Sequence, residues 1–180
     1  SCNEYQAKRS KAYYRANYCF LKMDIIKQLH DLCIAKNISI SVAESCTSGL
    51  IASKITSISG SSAYFKGGII AYQNEIKVNV LSVSKRLIDE KTEVSSEVVE
   101  QMALNVQDKF NSDFSVVTSG YAGPLGGTEK NPVGTVFIAI ATQSEVISSK
   151  FYFSGSREGV VNQATDESLR MLIEKIKKEE

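Results

Sequence analysis

Residues 38–55 read ISISVAESCTSGLIASKI, and this run predicts a strand, a polar turn and a helix in succession. Alternating apolar residues over 38–43 are typical of a strand, and 48–57 has the character of a helix. The turn carries four consecutive hydroxyl or thiol side chains: Ser45, Cys46, Thr47 and Ser48. The first N–H groups of a helix lack partners within it and lie at the positive end of its dipole. The turn therefore suits an anion, or a nucleophile whose oxyanion needs donors, although a plain cluster of helix caps is the alternative.

Strands and helices alternate along the rest of the chain. We expect helices over 23–37, near 74–81 and 84–90, from Ser95 or Ser96 to about Asn111, and over 156–178. We expect further strands at 67–72, short and buried, at 114–118, and in a hairpin of 135–142 and 145–153. This order predicts an α/β fold: a single three-layer α/β/α domain with a mixed sheet.

Composition limits the classes of function. The chain has 180 residues, 43% hydrophobic and 23% charged, with a net charge of +1. These values indicate one globular domain with a full core. The near-neutral balance predicts no nucleic-acid partner. No apolar run approaches the roughly 18–20 residues of a membrane span, so we expect no membrane partner.

The cysteines and the histidine do not form a recognisable ligand set. Four cysteines form no Cys-x-x-Cys pair, and the chain has one histidine, His30. We therefore expect no metal site and no cofactor. No signal peptide is visible, which favours reduced thiols and a cytoplasmic location. Residues 1–22, basic and rich in tyrosine, are expected to be an extension that is flexible or not native, with the domain over 23–180 and Met23 as an alternative start.

One loop concentrates residues that break regular structure. Both prolines and five of the eleven glycines lie between Gly120 and Gly134, directly after a predicted strand. In open α/β sheets, ligands bind at loops beyond strand ends. We therefore expect backbone groups of this loop, at Gly120 and Gly123 in particular, to contact a ligand.

The single histidine favours a mechanism that does not use histidine. A serine can also be activated by a lysine that is held neutral. The pair Ser82 and Lys85 has the Ser-x-x-Lys spacing, but it lies at a polar joint between helical segments. Cys46 is a rival nucleophile, because a thiol at a helix N-terminus has a lowered pKa, although a small buried cysteine is the alternative.

Several blocks occur in an order that is specific to one family: Ala-Glu-Ser-Cys-Thr-Ser-Gly at 43–49, Gly-Ser-Ser at 60–62, Ala-Tyr-Gln-Asn-Glu-Ile-Lys at 71–77, Ser-Gly-Tyr-Ala-Gly-Pro at 119–124, Pro-Val-Gly-Thr at 132–135 and Ser-Gly-Ser-Arg at 154–157. From about residue 23 to 176 the chain resembles the C-terminal domain of the competence/damage-inducible CinA family, the nicotinamide mononucleotide (NMN) deamidases. The resemblance implies an amidohydrolase of pyridine nucleotide salvage that converts NMN to nicotinic acid mononucleotide and ammonia. We expect a small-molecule nucleotide as its ligand, and a homodimer or higher homo-oligomer.

The resemblance also implies roles for individual residues. Ser45 is implied as the nucleophile, Lys77 as its base and Tyr72 as a further catalytic residue. Arg157 is implied as the partner of the 5′-phosphate, because it offers bidentate donors. Further contacts to the substrate are implied for Thr47, Ser48, Gly49, Ser62, Asn74, Ser119, Gly120 and Gly123. Glu44 is implied to orient a neighbouring residue or to contact the substrate ribose. On helical pattern alone, Lys77 is a solvent-facing lysine.

The chain departs from the family pattern at three positions. Ser48 replaces a usual glycine, Gly67 stands where an arginine is frequent, and Tyr121 replaces an aliphatic residue. These changes bear on substrate affinity more than on the type of reaction, and Tyr121 is expected to narrow the site. Two other functions stay open: an inactive nucleotide-binding or regulatory module, and an amidase for another carboxamide.

Overall fold

The computed structural model describes residues 25–179. Its α-helices are α1 (25–36), α2 (Leu50–Ile55), α3 (Asn74–Asn79), α4 (Lys85–Lys91), α5 (Ser96–Phe110) and α6 (Arg157–Lys178). A 3₁₀ turn spans Ser61–Ala63. The strands are β1 (Ile40–Glu44), β2 (Phe65–Ile70), β3 (Phe114–Gly120), β4 (Thr135–Ala141) and β5 (Val146–Tyr152). The expected extension over 1–22, and Met23, lie outside the described residues.

The five strands form one mixed sheet in the order β2-β1-β3-β4-β5. Strand β1 pairs in parallel with β2 and β3, whereas β4 pairs antiparallel with β3 and β5. Because β1, β2 and β3 run in the same direction, their carboxyl ends meet at one edge of the sheet. The segments that follow Glu44, Ile70 and Gly120 therefore lie close together.

Helices cover both faces of the sheet, so the predicted three-layer α/β/α domain is confirmed. Successive residues of each strand point to opposite faces. On one face Val42, Val116 and Ile138 pack with residues of α1, α2 and α6. On the other face Ala43 and Val117 pack with residues of α4 and α5. Both cores remove apolar surface from water, and this burial stabilises the sheet that carries the loops.

The prediction of a short buried strand over 67–72 is wrong in position and burial. Strand β2 spans Phe65–Ile70, and its residues alternate between partly buried and exposed. It lies at the sheet edge and pairs on one side with β1, so half of its side chains face solvent. Gly67 packs so closely on Phe110 that a Cβ would lie 2.7 Å from the phenyl ring. The aromatic ring thus accounts for a glycine where the family often has arginine.

Among residues 25–179, no helix is both long enough and apolar enough to span a bilayer.

Candidate active site

A serine and a lysine meet at the carboxyl edge of the sheet. Lys77 Nζ lies 3.4 Å from Ser45 Oγ. Ser45 directly follows β1, and Lys77 lies on α3, which begins four residues after the end of β2. Because β1 and β2 are adjacent, the two segments converge. Both side chains line a cavity of about 200 Å³.

Lys77 is buried, which corrects the expectation of a solvent-facing lysine. The residue is 1% exposed. Desolvation lowers the pKa of its ammonium group, while electrostatic interactions with Glu93 and, to a lesser extent, Cys46 act in the opposite direction. Its Nζ also lies 3.4 Å from Asn74 Oδ1. This burial shifts the protonation equilibrium of Lys77 toward the neutral amine.

The environment of Cys46 disfavours its thiolate. The residue is 5% exposed, and burial raises the pKa of the thiol to about 12. The expectation of a lowered pKa at a helix N-terminus is therefore wrong, because desolvation outweighs the hydrogen bonds and the charge of Lys77. Cys46 fills space beside Ser45 in the cavity wall.

The 45–49 turn has its own pattern of hydrogen bonds. The Ser45 N–H donates to Thr118 O, the Ser48 N–H to Ser45 O, and the Gly49 N–H to Glu44. Within the part of the chain that the structure describes, the Cys46 and Thr47 N–H groups donate to no oxygen. The two residues after Ser45 thus carry backbone N–H groups that are not bonded to an oxygen of the described residues.

Glu44 caps helix α2 and does not line the cavity. Its Oε2 accepts from Thr47 Oγ1 at 2.6 Å, Gly49 N at 3.0 Å and Ile51 N at 3.1 Å. Its Oε1 accepts from Ala52 N at 2.8 Å. The side chain is 1% exposed, and both of its oxygens are used within the protein. The geometry thus supports the alternative in which Glu44 orients its neighbours, here the turn and the first turn of α2.

The structure brings about half of the sequence-derived site residues to the cavity. Those that line it are Ser45, Tyr72, Lys77, Ser119, Gly120 and Arg157. Thr47 is buried and bonded to Glu44 and Thr118. Ser48 and Gly49 form the left-handed end of the turn, at φ 51° and 96°, and their hydrogen bonds are to Ser45, Glu44 and Ser53. Ser62 is exposed before β2, at the opposite end of the parallel strands, and within one chain it does not line this cavity.

Arg157 closes the mouth of the cavity. It is the first residue of α6, and its Nη1 donates to Gly123 O at 2.8 Å. Its Nη2 donates to the Tyr72 hydroxyl at 2.8 Å. Gly123 thus contacts the site through Arg157 and does not line the cavity. The guanidinium has five N–H donors, so further donors remain for a ligand.

Glu93 is a cavity residue that the sequence did not reveal. It lies between α4 and α5 and lines the same cavity as Ser45 and Lys77. Its Oε1 accepts from the Tyr121 hydroxyl at 3.0 Å, and its backbone oxygen accepts from Ser119 Oγ at 2.8 Å. Tyr121 lines the cavity as well. No periodic pattern or family block marks residue 93, so only the fold could reveal it.

The alternative Ser-x-x-Lys pair is not in this site. Ser82 and Lys85 are both exposed, and Lys85 forms a salt bridge with Asp89 at 2.6 Å. Neither lines the cavity. Among residues 25–179, no group of three or more His, Cys, Asp or Glu side chains is arranged to hold a metal ion.

Comparison with known proteins gives a consistent result. A family model described as the CinA C-terminal domain matches residues 22–176. The chain is 49% identical over 150 residues to a CinA-like protein from Flavobacterium psychrophilum, and 44% identical over 143 residues to one from Fervidobacterium nodosum. These matches cover 83% and 77% of the chain, but 36% and 35% of the relatives. The chain thus spans about a third of the length of these relatives.

Solved structures share the fold. The competence damage-inducible protein A (ComA) from Klebsiella pneumoniae superposes with a TM-score of 0.85 at 28% identity, over 88% of this chain and 99% of that chain. The competence/damage inducible protein CihA from Agrobacterium tumefaciens gives a TM-score of 0.82 at 30% identity, over 84% of this chain and 93% of that chain.

Proposed function

The chain belongs to the CinA C-terminal domain family, and we propose that it is an amidohydrolase that converts NMN to nicotinic acid mononucleotide and ammonia. The observation that carries the proposal is the buried lysine 3.4 Å from a serine hydroxyl, in a cavity that both residues line. A lysine whose pKa is lowered by burial is a suitable base for a serine nucleophile.

The proposed reaction proceeds in two steps. Neutral Lys77 accepts the proton of Ser45 Oγ as that oxygen attacks the carboxamide carbon. Backbone N–H groups of the 45–49 turn donate to the oxyanion. Lys77 then returns the proton to the leaving nitrogen, with Tyr72 as the alternative donor, and ammonia departs. Water, deprotonated by Lys77, cleaves the ester to release the acid and regenerate Ser45.

The volume of the cavity supports an arrangement in which it encloses only the nicotinamide ring of the substrate. Its volume of about 200 Å³ is below the roughly 300–1,000 Å³ of pockets that enclose a whole ligand. The nicotinamide ring therefore occupies the cavity, and ribose and phosphate lie at the mouth. Arg157 is exposed there and is suited to bind a phosphate, because its guanidinium offers several donors.

Product analysis tests the proposal. The purified full chain is incubated with NMN, and both nicotinic acid mononucleotide and ammonia are quantified. We expect them in equal amounts, and we expect Ser45→Ala and Lys77→Ala to abolish both. NMN binding without ammonia release would instead indicate an inactive nucleotide-binding module. Ammonia release from other carboxamides but not from NMN would indicate an amidase of different specificity.

A further inference from the structure

Glu93 is fixed in the cavity wall by two side chains from the end of β3 and the loop that follows it. The Tyr121 hydroxyl donates to its Oε1 at 3.0 Å, and Ser119 Oγ donates to its backbone oxygen at 2.8 Å. Desolvation and the neighbouring Glu93 raise the pKa of Tyr121, so its phenol stays protonated and remains a donor. Within the described residues, the second carboxylate oxygen of Glu93 accepts no hydrogen bond. The carboxylate is therefore held with one oxygen available to a ligand.

The negative charge of Glu93 is unexpected in a site for a phosphate ester. Among the described residues that line the cavity, Lys77, Arg157 and Glu93 have charged side chains, and Glu93 alone of these is acidic. Lys77 must be neutral to act as a base, and Arg157 lies at the mouth, where it contacts Tyr72 and Gly123. A carboxylate beside an incoming anion is unfavourable unless the ligand also brings a positive charge.

We propose that Glu93, held by Tyr121, is the counter-ion of a cationic ring, so that the site selects N-substituted pyridinium carboxamides over neutral carboxamides. This inference rests on the proposed function and adds to it the charge of the substrate ring. The phosphate then pairs with Arg157 and the ring with Glu93. The ligand is recognised as a zwitterion, with one charge at each end of the site.

The pairing of Glu93 with the cationic ring also changes the protonation equilibrium of Lys77. In the free protein the Glu93 carboxylate favours the charged form of Lys77. A positive ring beside Glu93 balances that carboxylate, which favours the neutral amine that the reaction needs. A neutral ring provides no such balance.

The test compares NMN with its 1,4-dihydro form, which keeps the carboxamide, ribose and phosphate but has a neutral ring. Binding is measured by calorimetry with the Ser45→Ala variant, so that turnover does not interfere. We expect NMN to bind at least about tenfold more tightly than the dihydro form. Adding Glu93→Gln, which keeps an oxygen for Tyr121, should weaken NMN binding at least about tenfold and alter dihydro binding less than about twofold.

Glu129→Gln is the matched control, because Glu129 is an exposed glutamate on the adjacent loop. It changes the net charge equally and should leave both affinities within about twofold. The inference would be overturned if Glu93→Gln lowered the affinity for both ligands equally. It would also be overturned if the two ligands bound with equal affinity, or if neither bound. Should Glu93→Gln fail to fold, Tyr121→Phe carries the test. This substitution removes the hydrogen bond that holds the Glu93 carboxylate, and it should reduce the preference for NMN over the dihydro form at least about twofold. An unchanged preference would contradict the inference.

This design separates the inference from the proposed function. Selective binding of NMN by Ser45→Ala, with no ammonia release by the unmodified chain, would leave Glu93 as the counter-ion and remove the amidase. Ammonia release without charge selectivity would keep the amidase and remove the role of Glu93.

Discussion

Glu44→Gln should destabilise the protein strongly, although it changes one atom type in a side chain of nearly the same size. The carboxylate accepts four hydrogen bonds, three at Oε2 and one at Oε1. The best arrangement of glutamine puts its oxygen in place of Oε2. Its NH₂ group then faces the Ala52 N–H, and two donors oppose each other.

The magnitude follows from these contacts. A lost bond to a charged acceptor costs about 1.5–3 kcal/mol. The three remaining bonds lose their charge assistance, and the helix N-terminus loses a favourable anion worth about 0.3–1 kcal/mol. We expect the free energy of unfolding to fall by about 3–5 kcal/mol for a side chain that is 1% exposed. For a domain of this size that corresponds to a fall in Tm of roughly 6–20 °C.

Urea denaturation of the unmodified chain and the variant measures the difference. Glu174→Gln is the control, because Glu174 is an exposed glutamate on α6, and it should stay within about 0.5 kcal/mol of the unmodified chain. A stability change below about 1 kcal/mol for Glu44→Gln, together with a large rise in KM for NMN, would refute the capping role and restore Glu44 as a contact to the substrate.

Three further predictions concern the site. Arg157→Ala should lower kcat/KM for NMN at least about tenfold more than for nicotinamide riboside, because the riboside lacks the phosphate; equal losses would make Arg157 structural. The acid limb of the kcat/KM pH profile should have an apparent pKa below the ordinary lysine value, with activity rising as Lys77 loses its proton; a limb at or above that value would contradict the burial argument. Lys77→Met should remove a pH dependence of stability. Because the folded-state pKa of Lys77 is lowered, the unfolded chain binds more protons between the two pKa values, and the stability of the unmodified chain rises with pH there. Urea titrations across that pH window should show that Lys77→Met increases the free energy of unfolding more at lower pH. An increase that grows with pH would contradict the lowered pKa of Lys77.

The order of elements and the location of the site could be predicted from the sequence, because both depend on local patterns. The alternation in 38–43 and the polar turn after it identified β1, and the structure has it at Ile40–Glu44. The hairpin of β4 and β5 was predicted from alternation around a polar pair, and it is confirmed. The boundaries of β2 were missed because its glycines and its edge position weaken the pattern of burial.

The environment of individual side chains could not be predicted, because it depends on contacts between distant segments. Lys77 has the sequence context of a surface lysine, yet it is 1% exposed and contacts Ser45, which lies 32 positions earlier in the sequence. Glu44 precedes α2 by six residues, so no capping pattern indicates that it caps that helix. Glu93 meets Tyr121 across 28 positions of sequence.

The most direct test of the proposed mechanism is ammonia release from NMN by the unmodified chain, Ser45→Ala and Cys46→Ala, measured side by side. Circular dichroism first establishes that both variants are folded. If Ser45 is the nucleophile, Ser45→Ala should lower the rate at least about a thousandfold, and Cys46→Ala should keep most of it. Activity retained by Ser45→Ala, or lost in a folded Cys46→Ala, would contradict a serine nucleophile at this position.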